Sequence, residues 1–191
     1  MRFNRDFPKI ELAVNIGSLG DIIEQVVSDV THIGIVHNPP MSPAIRSYFG
    51  VDVKLKLHVS RDHELAQVKG PVSVARALSY PLAKMPNILG LGRTTELLAS
   101  AERIPLNVIL SSNPVRSTAH FIRNGTAVTI LGARFALADD VEGELVVVDV
   151  EHPLLSDSHA AVIARSDRTL TRAMTTLPDY IGHHSAIFRC M

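Results

Sequence analysis

"FIRNGTAVTILG", residues 121–132, sets a glycine between an apolar helical stripe and a run of strand-forming residues. It reads either as a Gly-rich loop cradling a phosphate or as the seam between a helix and a strand. A phosphate cradle lies ahead of a helix N-terminus, where free N–H groups and the helix dipole favour an anion. Here the helix comes first. Asn113 can cap it, Pro114 suits its first turn, and Val115, Ala119 and Ile122 form its stripe. Gly125 falls where a left-handed helix stop belongs, and "AVTIL" continues as a strand. The polarity is wrong for an anion loop, so the stretch is predicted as helix, stop, strand. Thr126 and Thr129 either turn hydroxyls into a cleft or are ordinary strand residues.

The same alternation runs outward in both directions. "KIELAVNIG" sets Ile10, Leu12, Val14 and Ile16 on one face, the period of a strand. Ser18 opens a helix with Asp21 as its capping-box partner, and Ile22, Ile23, Val26, Val27 and Val30 follow as one stripe. "HIGIV" reads as a buried strand stopped by "HNPP". "VDVKLKLHVS" alternates through Val51, Val53, Leu55, Leu57 and Val59 as one strand. Ser73–Tyr80 is a short helix, "PNILGL" a short strand, and Thr94 or Thr95 caps the next helix. "PLNVILSS", "ELVVVDV" and "HAAVIAR" are strands, with a polar turn at Asp139–Gly143. A last helix opens near Ser166 or Asp167 with Leu170, Ala173, Met174 and Leu177 inward, and Pro178 stands near its end. Strands alternating with helices indicate an α/β fold with largely parallel sheets.

Composition removes several function classes. The 191 residues are 46% hydrophobic, so a packed core is expected and disorder is not. Lys+Arg and Asp+Glu balance at 19 each, and tryptophan is absent, which argues against a nucleic-acid surface within these residues. The single cysteine, Cys190, cannot form an internal disulfide and suits a reducing compartment. The first residues lack the apolar core of a signal peptide, and Ala127–Ala138 is too short and interrupted to span a bilayer. A cytoplasmic protein is the expectation.

Catalytic and cofactor motifs fail one by one. "IGSLGD" has the wrong spacing around Ser18 for a nucleophile elbow. "GLGRTTE" offers Gly90 and Gly92 but lacks a third glycine and the acidic partner of a dinucleotide site. His58 and His63 are one residue too far apart for a helical metal pair. His183, His184 and Cys190 lie in an unpatterned tail, and His32 reads as a structural residue. No enzyme, cofactor or metal site is expected.

The order of the pieces resembles the effector-binding domain of LysR-type transcriptional regulators. The motifs that carry the resemblance are "FNRDFPKIELAVNIG", "DIIEQVVSDVTHIGIV", "LHVSRDHELA", "VSVARALSYPL", "STAHFIRNGTAVTILG", "GELVVVDVEHPL" and "SDRTLTRAMTTLPDYI". They span residues 3 to about 181. Departures fall at His32, where the family usually has Asp, at Glu64 and Gly132, where it has proline, and at Thr126-Ala127, where it has x-Gly. The family's winged helix-turn-helix, linker helix, first strand and most of its first sensing-domain helix have no counterpart. The chain is then a fragment, a diverged stand-alone domain, or one whose start is misassigned.

The resemblance implies a two-lobed α/β fold like type 2 periplasmic binding proteins, with two crossover strands. Lobe I would hold residues 1–56 and 149–191, and lobe II residues 57–148. A small, anionic effector would bind in the cleft. Ligands of open α/β sheets lie beyond the carboxyl ends of strands, which nominates Gly17, Ser18, His37, Asn38, Gly92, Arg93 and Thr94, with Thr126 and Thr129 as wall residues. Ser18 is otherwise a plain helix cap, Arg93 a solvated arginine, and His37-Asn38 turn residues. The implied partners are the effector, a second copy of the chain and, through a helix-turn-helix domain outside these residues, DNA. The helix faces around Asp21–Val30 and Asn113–Asn124 are the expected dimer contact. A solute-binding protein of a transporter shares the fold and is the alternative.

Overall fold

The computed structural model describes residues 2–88, 90–123, 125–133 and 143–184. The elements begin with α1 (Arg2–Asp6), α2 (Leu19–Val27), β1 (Gly34–His37), β2 (Ile45–Asp52) and β3 (Leu55–Ser60). A 3-10 turn over Glu64–Gln67 leads to α3 (Val74–Leu78), β4 (Leu82–Lys84), α4 (Gly90–Glu102) and β5 (Val108–Ser111). Then come α5 (Val115–Ile122), β6 (Thr129–Gly132), β7 (Leu145–Val148), α6 (Pro153–Ser156), β8 (His159–Arg165) and α7 (Arg172–His184). No described helix is long and apolar enough to cross a membrane.

The chain forms two compact units, residues 1–51 with 159–191 and residues 52–158, so it passes from one to the other twice. The first unit carries the sheet β1-β8-β2. β1 pairs antiparallel with β8, from Gly34 opposite Ile163 to His37 opposite Ala160. Val36, Ala161 and Ile163 pack against Leu19, Ile22, Ile23 and Ile45, so the stripe of α2 covers one face. Phe3 is buried beside Phe7 and Tyr180, which ties α1 to α7.

The second unit carries the sheet β6-β3-β7 and the parallel pair β4-β5. β3 is antiparallel to both of its neighbours. Its core joins Ala83, Ala119, Ile122, Ala127, Leu131 and Leu145. Ile122 is fully buried, and a side chain of this size contributes about 1.5–3 kcal/mol on leaving water. Gly125 sits at φ +99°, and its N–H donates to the Ile122 carbonyl at 3.2 Å. The stretch 121–132 is therefore a helix stop leading into β6.

Several expectations need correction. Residues 10–16 form no strand: the alternation is there, but no ladder partner is found among the described residues, and Val14 and Ile16 are 68% and 83% exposed. The sheets are mostly antiparallel, because β6, β7 and β8 each return against the strand they join. "VDVKLKLHVS" holds parts of two strands: β2 begins earlier, at Ile45, and joins β8, whereas β3 joins β6 and β7. The described residues of "PNILGL" form no strand: Asn87 and Ile88 are in a turn and Gly90 opens α4, and Pro86 cannot donate to a ladder; the strand is β4 just before it. Thr94 and Thr95 lie inside α4, where their hydroxyls donate to the carbonyls of Gly90 and Leu91, both at 3.1 Å. Pro114 rather than Asn113 stands at the start of α5, with no side-chain cap. α7 opens at Arg172 with Pro178 inside it, and Ala173 is exposed. The turn at 139–143 falls almost wholly outside the described residues, as does Cys190.

Candidate functional site

In the first unit, Gly17 and Ser18 lead into α2. The Asp21 N–H donates to Ser18 Oγ at 3.1 Å, and the Ser18 N–H donates to Asp21 Oδ2 at 3.0 Å, the reciprocal capping box. These bonds hold the Asp21 carboxyl below the usual carboxylate range. Gly34 lies against Ile22 and Val26, while Val36 shares a cluster with Leu19. β1 therefore runs opposite to α2, and its His37-Asn38 end lies toward Gly17-Ser18.

Asn38 adopts φ +47° and ties β1 to β8. Its N–H donates to the His159 carbonyl at 2.7 Å, and its Oδ1 accepts from the His159 N–H at 2.6 Å. Burial, with a smaller contribution from the His159 charge, lowers the His37 pKa to about 4. At neutral pH His37 is thus an uncharged imidazole. This end of the unit offers a capped helix start, a neutral histidine and an exposed amide.

In the second unit, Gly92 lies on the first turn of α4. An ideal Cβ there would sit 2.2 Å from the Pro86 carbonyl oxygen and 2.3 Å from that of Met85, so only glycine lets the helix approach this loop. Arg93 is exposed and Thr94 is buried. β4 and β6 meet in a parallel bridge, Leu82 with Val128. Thr126 therefore lies toward the amino end of β4, whereas Gly92 and Arg93 follow its carboxyl end, and the fold does not bring these residues together. Thr129 is fully buried opposite His58 in the β3–β6 ladder, and its hydroxyl makes no hydrogen bond among the described residues. Burial pushes the His58 pKa down to about 4, against the opposing pull of the Leu131 and Gly132 backbone.

Two features escaped sequence reasoning. Lys84 ends β4 with a buried side chain, hydrogen-bonded to Asn87 Oδ1 and ion-paired with Glu96 Oε1. Its only sequence signal is a lone lysine in the apolar run between Pro81 and Pro86. His63 accepts from the Leu65 N–H at 3.1 Å and opens the 3-10 turn, so it is a cap rather than half of a metal pair. Among the described residues, no group of three or more His, Cys, Asp or Glu could hold a metal ion.

Residues 1–186 match the family described as the LysR substrate binding domain. The chain is 24% identical over 183 residues to the HTH-type transcriptional activator CmpR of a Synechocystis strain. That match covers 95% of this chain but 59% of CmpR, so the chain spans well under two thirds of that relative. Among solved structures, the regulatory domain of Synechocystis CcmR, in complex with 2-PG, superposes with a TM-score of 0.76 at 16% identity. It covers 94% of this chain and 86% of CcmR's. The effector-binding domain of QuiR, in complex with shikimate, gives 0.71 at 13% identity, over 94% and 86% of the two chains.

Proposed function

This chain belongs to the LysR substrate-binding domain family, and from that premise we propose that it is the ligand-sensing and dimerising part of a transcriptional regulator. It binds a small anionic effector, and that binding shifts the population of its conformations. The change is relayed to a helix-turn-helix domain outside these residues, which alone contacts DNA. The chain works in the cytoplasm and catalyses no reaction. The family match over residues 1–186 carries this reading and favours it over a transporter's solute-binding protein.

Within the first unit the anion-contacting candidates we propose are Ser18, His37 and Asn38, and within the second, considered by itself, Arg93. Arg93, exposed on α4, supplies a fork suited to a carboxylate. Ser18 supplies a hydroxyl at a helix start, where the dipole favours negative charge. His37 and Asn38 supply neutral polar groups that fix orientation. Gly17 and Gly92 let backbone come close; Thr94 is buried and bonded to the Gly90 carbonyl within α4, and Thr129 is buried in the β3–β6 ladder. A thermal-shift screen against small carboxylates and neutral metabolites of equal size tests the reading. Anions are expected to raise the melting temperature in a saturable way; a response to neutral compounds alone would remove the anionic assignment.

Two further observations support self-association. The apolar side chains Val14, Ile16 and Val30 are exposed in the first unit, as are Val108, Ile109 and Phe121 in the second. Exposed apolar side chains of this size are available to pack against another protein. The second copy of the chain is the partner we propose for them.

A further inference from the structure

The side chain of Lys84 keeps 7% of its exposure, yet it stands at the end of a short strand whose other residues, Leu82 and Ala83, are fully buried hydrophobics. Removing an ammonium from water costs several kcal/mol, and an apolar residue there would serve stability as well or better. A lysine at this position therefore calls for a use beyond packing.

Its surroundings suggest one. Lys84 ends the parallel pair β4–β5, opposite Ser111, and the Ser112 N–H donates to its carbonyl at 3.1 Å. The carboxyl ends of parallel strands are where open α/β sheets take ligands. The ammonium has three donors. Two go to Asn87 Oδ1 and Glu96 Oε1, and no third bond forms among the described residues. Both acceptors are on the solvent side: Asn87 is exposed, and the Glu96 side chain is 39% exposed. Ser111, the ladder partner of Lys84 on β5, is exposed. Glu96 is held ionised chiefly by its hydrogen bond from Lys84. The chain thus keeps a desolvated cation under a carboxylate that faces water on its other side.

We infer that Lys84 is a latent anion-binding residue, masked by Glu96, and that a carboxylate or phosphate of the effector takes the place of Glu96 on its ammonium with help from Asn87 and Ser111. The Glu96 side chain swings into solvent as the ligand group arrives, and no covalent bond changes. This rests on the reading of the domain as an anion sensor and adds to Arg93 a second cation in the same unit.

Isothermal titration of the whole chain with inorganic phosphate and with succinate tests it. Lys84→Met keeps the volume and leaves Glu96 free to hydrate, and should weaken anion binding at least about tenfold, the loss of one charge-assisted hydrogen bond. Glu96→Gln removes the competing carboxylate and should tighten it several-fold. A purely structural ion pair predicts the opposite pattern, with both variants less thermostable and neither altered in anion affinity. That pattern would overturn the inference while leaving the sensor reading intact. Binding of neutral metabolites alone would also overturn it. Wild type that binds neither probe nor any metabolite would remove the sensor reading itself.

Discussion

A buried histidine makes acid stability a residue-scale property of this fold. His58 is fully buried in β3, and its folded pKa of about 4 lies below the ordinary 6.5. The unfolded chain takes up a proton near 6.5, whereas the folded chain does so only near 4. Stability is therefore fully present above the unfolded value and is lost as pH falls through this window. For His58 the loss amounts to about 2 kcal/mol between pH 7.5 and pH 5. His37 adds a loss of the same sign. Urea denaturation at the two pH values should show the drop, and His58→Leu should shrink it markedly. An equal drop in the variant would show that His58 does not titrate as its burial demands. Single residues were unequally legible. The Ser18–Asp21 box follows from spacing alone, because both partners lie within one helical turn. The Lys84–Glu96 pair spans 12 residues and depends on how α4 packs, which local pattern does not encode.

At the scale of elements, punctuation was easier to read than pairing. Gly125, φ +99°, ends α5 as its place after the apolar stripe predicts. Nothing lies within 4 Å of an added Cβ there, so a substitution meets strained backbone but no clash. Gly125→Ala should accordingly cost about 1 kcal/mol, seen as a lower melting temperature with an unchanged circular dichroism spectrum. An unchanged melting temperature would mean that the helix stop does not need glycine. Residues 10–16 show the converse. Ile10, Leu12, Val14 and Ile16 alternate as well as any strand in the chain, yet a strand exists only where a neighbour accepts its ladder. The parallel sheets expected from helix–strand alternation failed for the same reason. Alternation fixes which face is dry, while the direction of a returning strand is set by the distant partner it meets.

At the scale of the whole molecule, the family and its α/β architecture were legible because many weak motifs occur in one order over most of the chain. The two units emerge from segments far apart in sequence, residues 1–51 with 159–191 around 52–158. The exposed apolar side chains of residues 14, 16 and 30 and of 108, 109 and 121 predict association. Sedimentation velocity should find a dimer or larger assembly in the wild type and a monomer in a variant carrying Ile16→Lys with Ile109→Lys. A monomeric wild type at high concentration would refute this. We propose that the domain senses a small anion, with Ser18 in the first unit and Arg93 in the second each contributing to its affinity. Calorimetric titration of the whole chain with a panel of small carboxylates and phosphorylated metabolites tests it most directly. Saturable binding of at least one anion is expected, weakened at least about tenfold when Ser18→Ala and Arg93→Ala are combined. Anion binding left unchanged by the double substitution would contradict it.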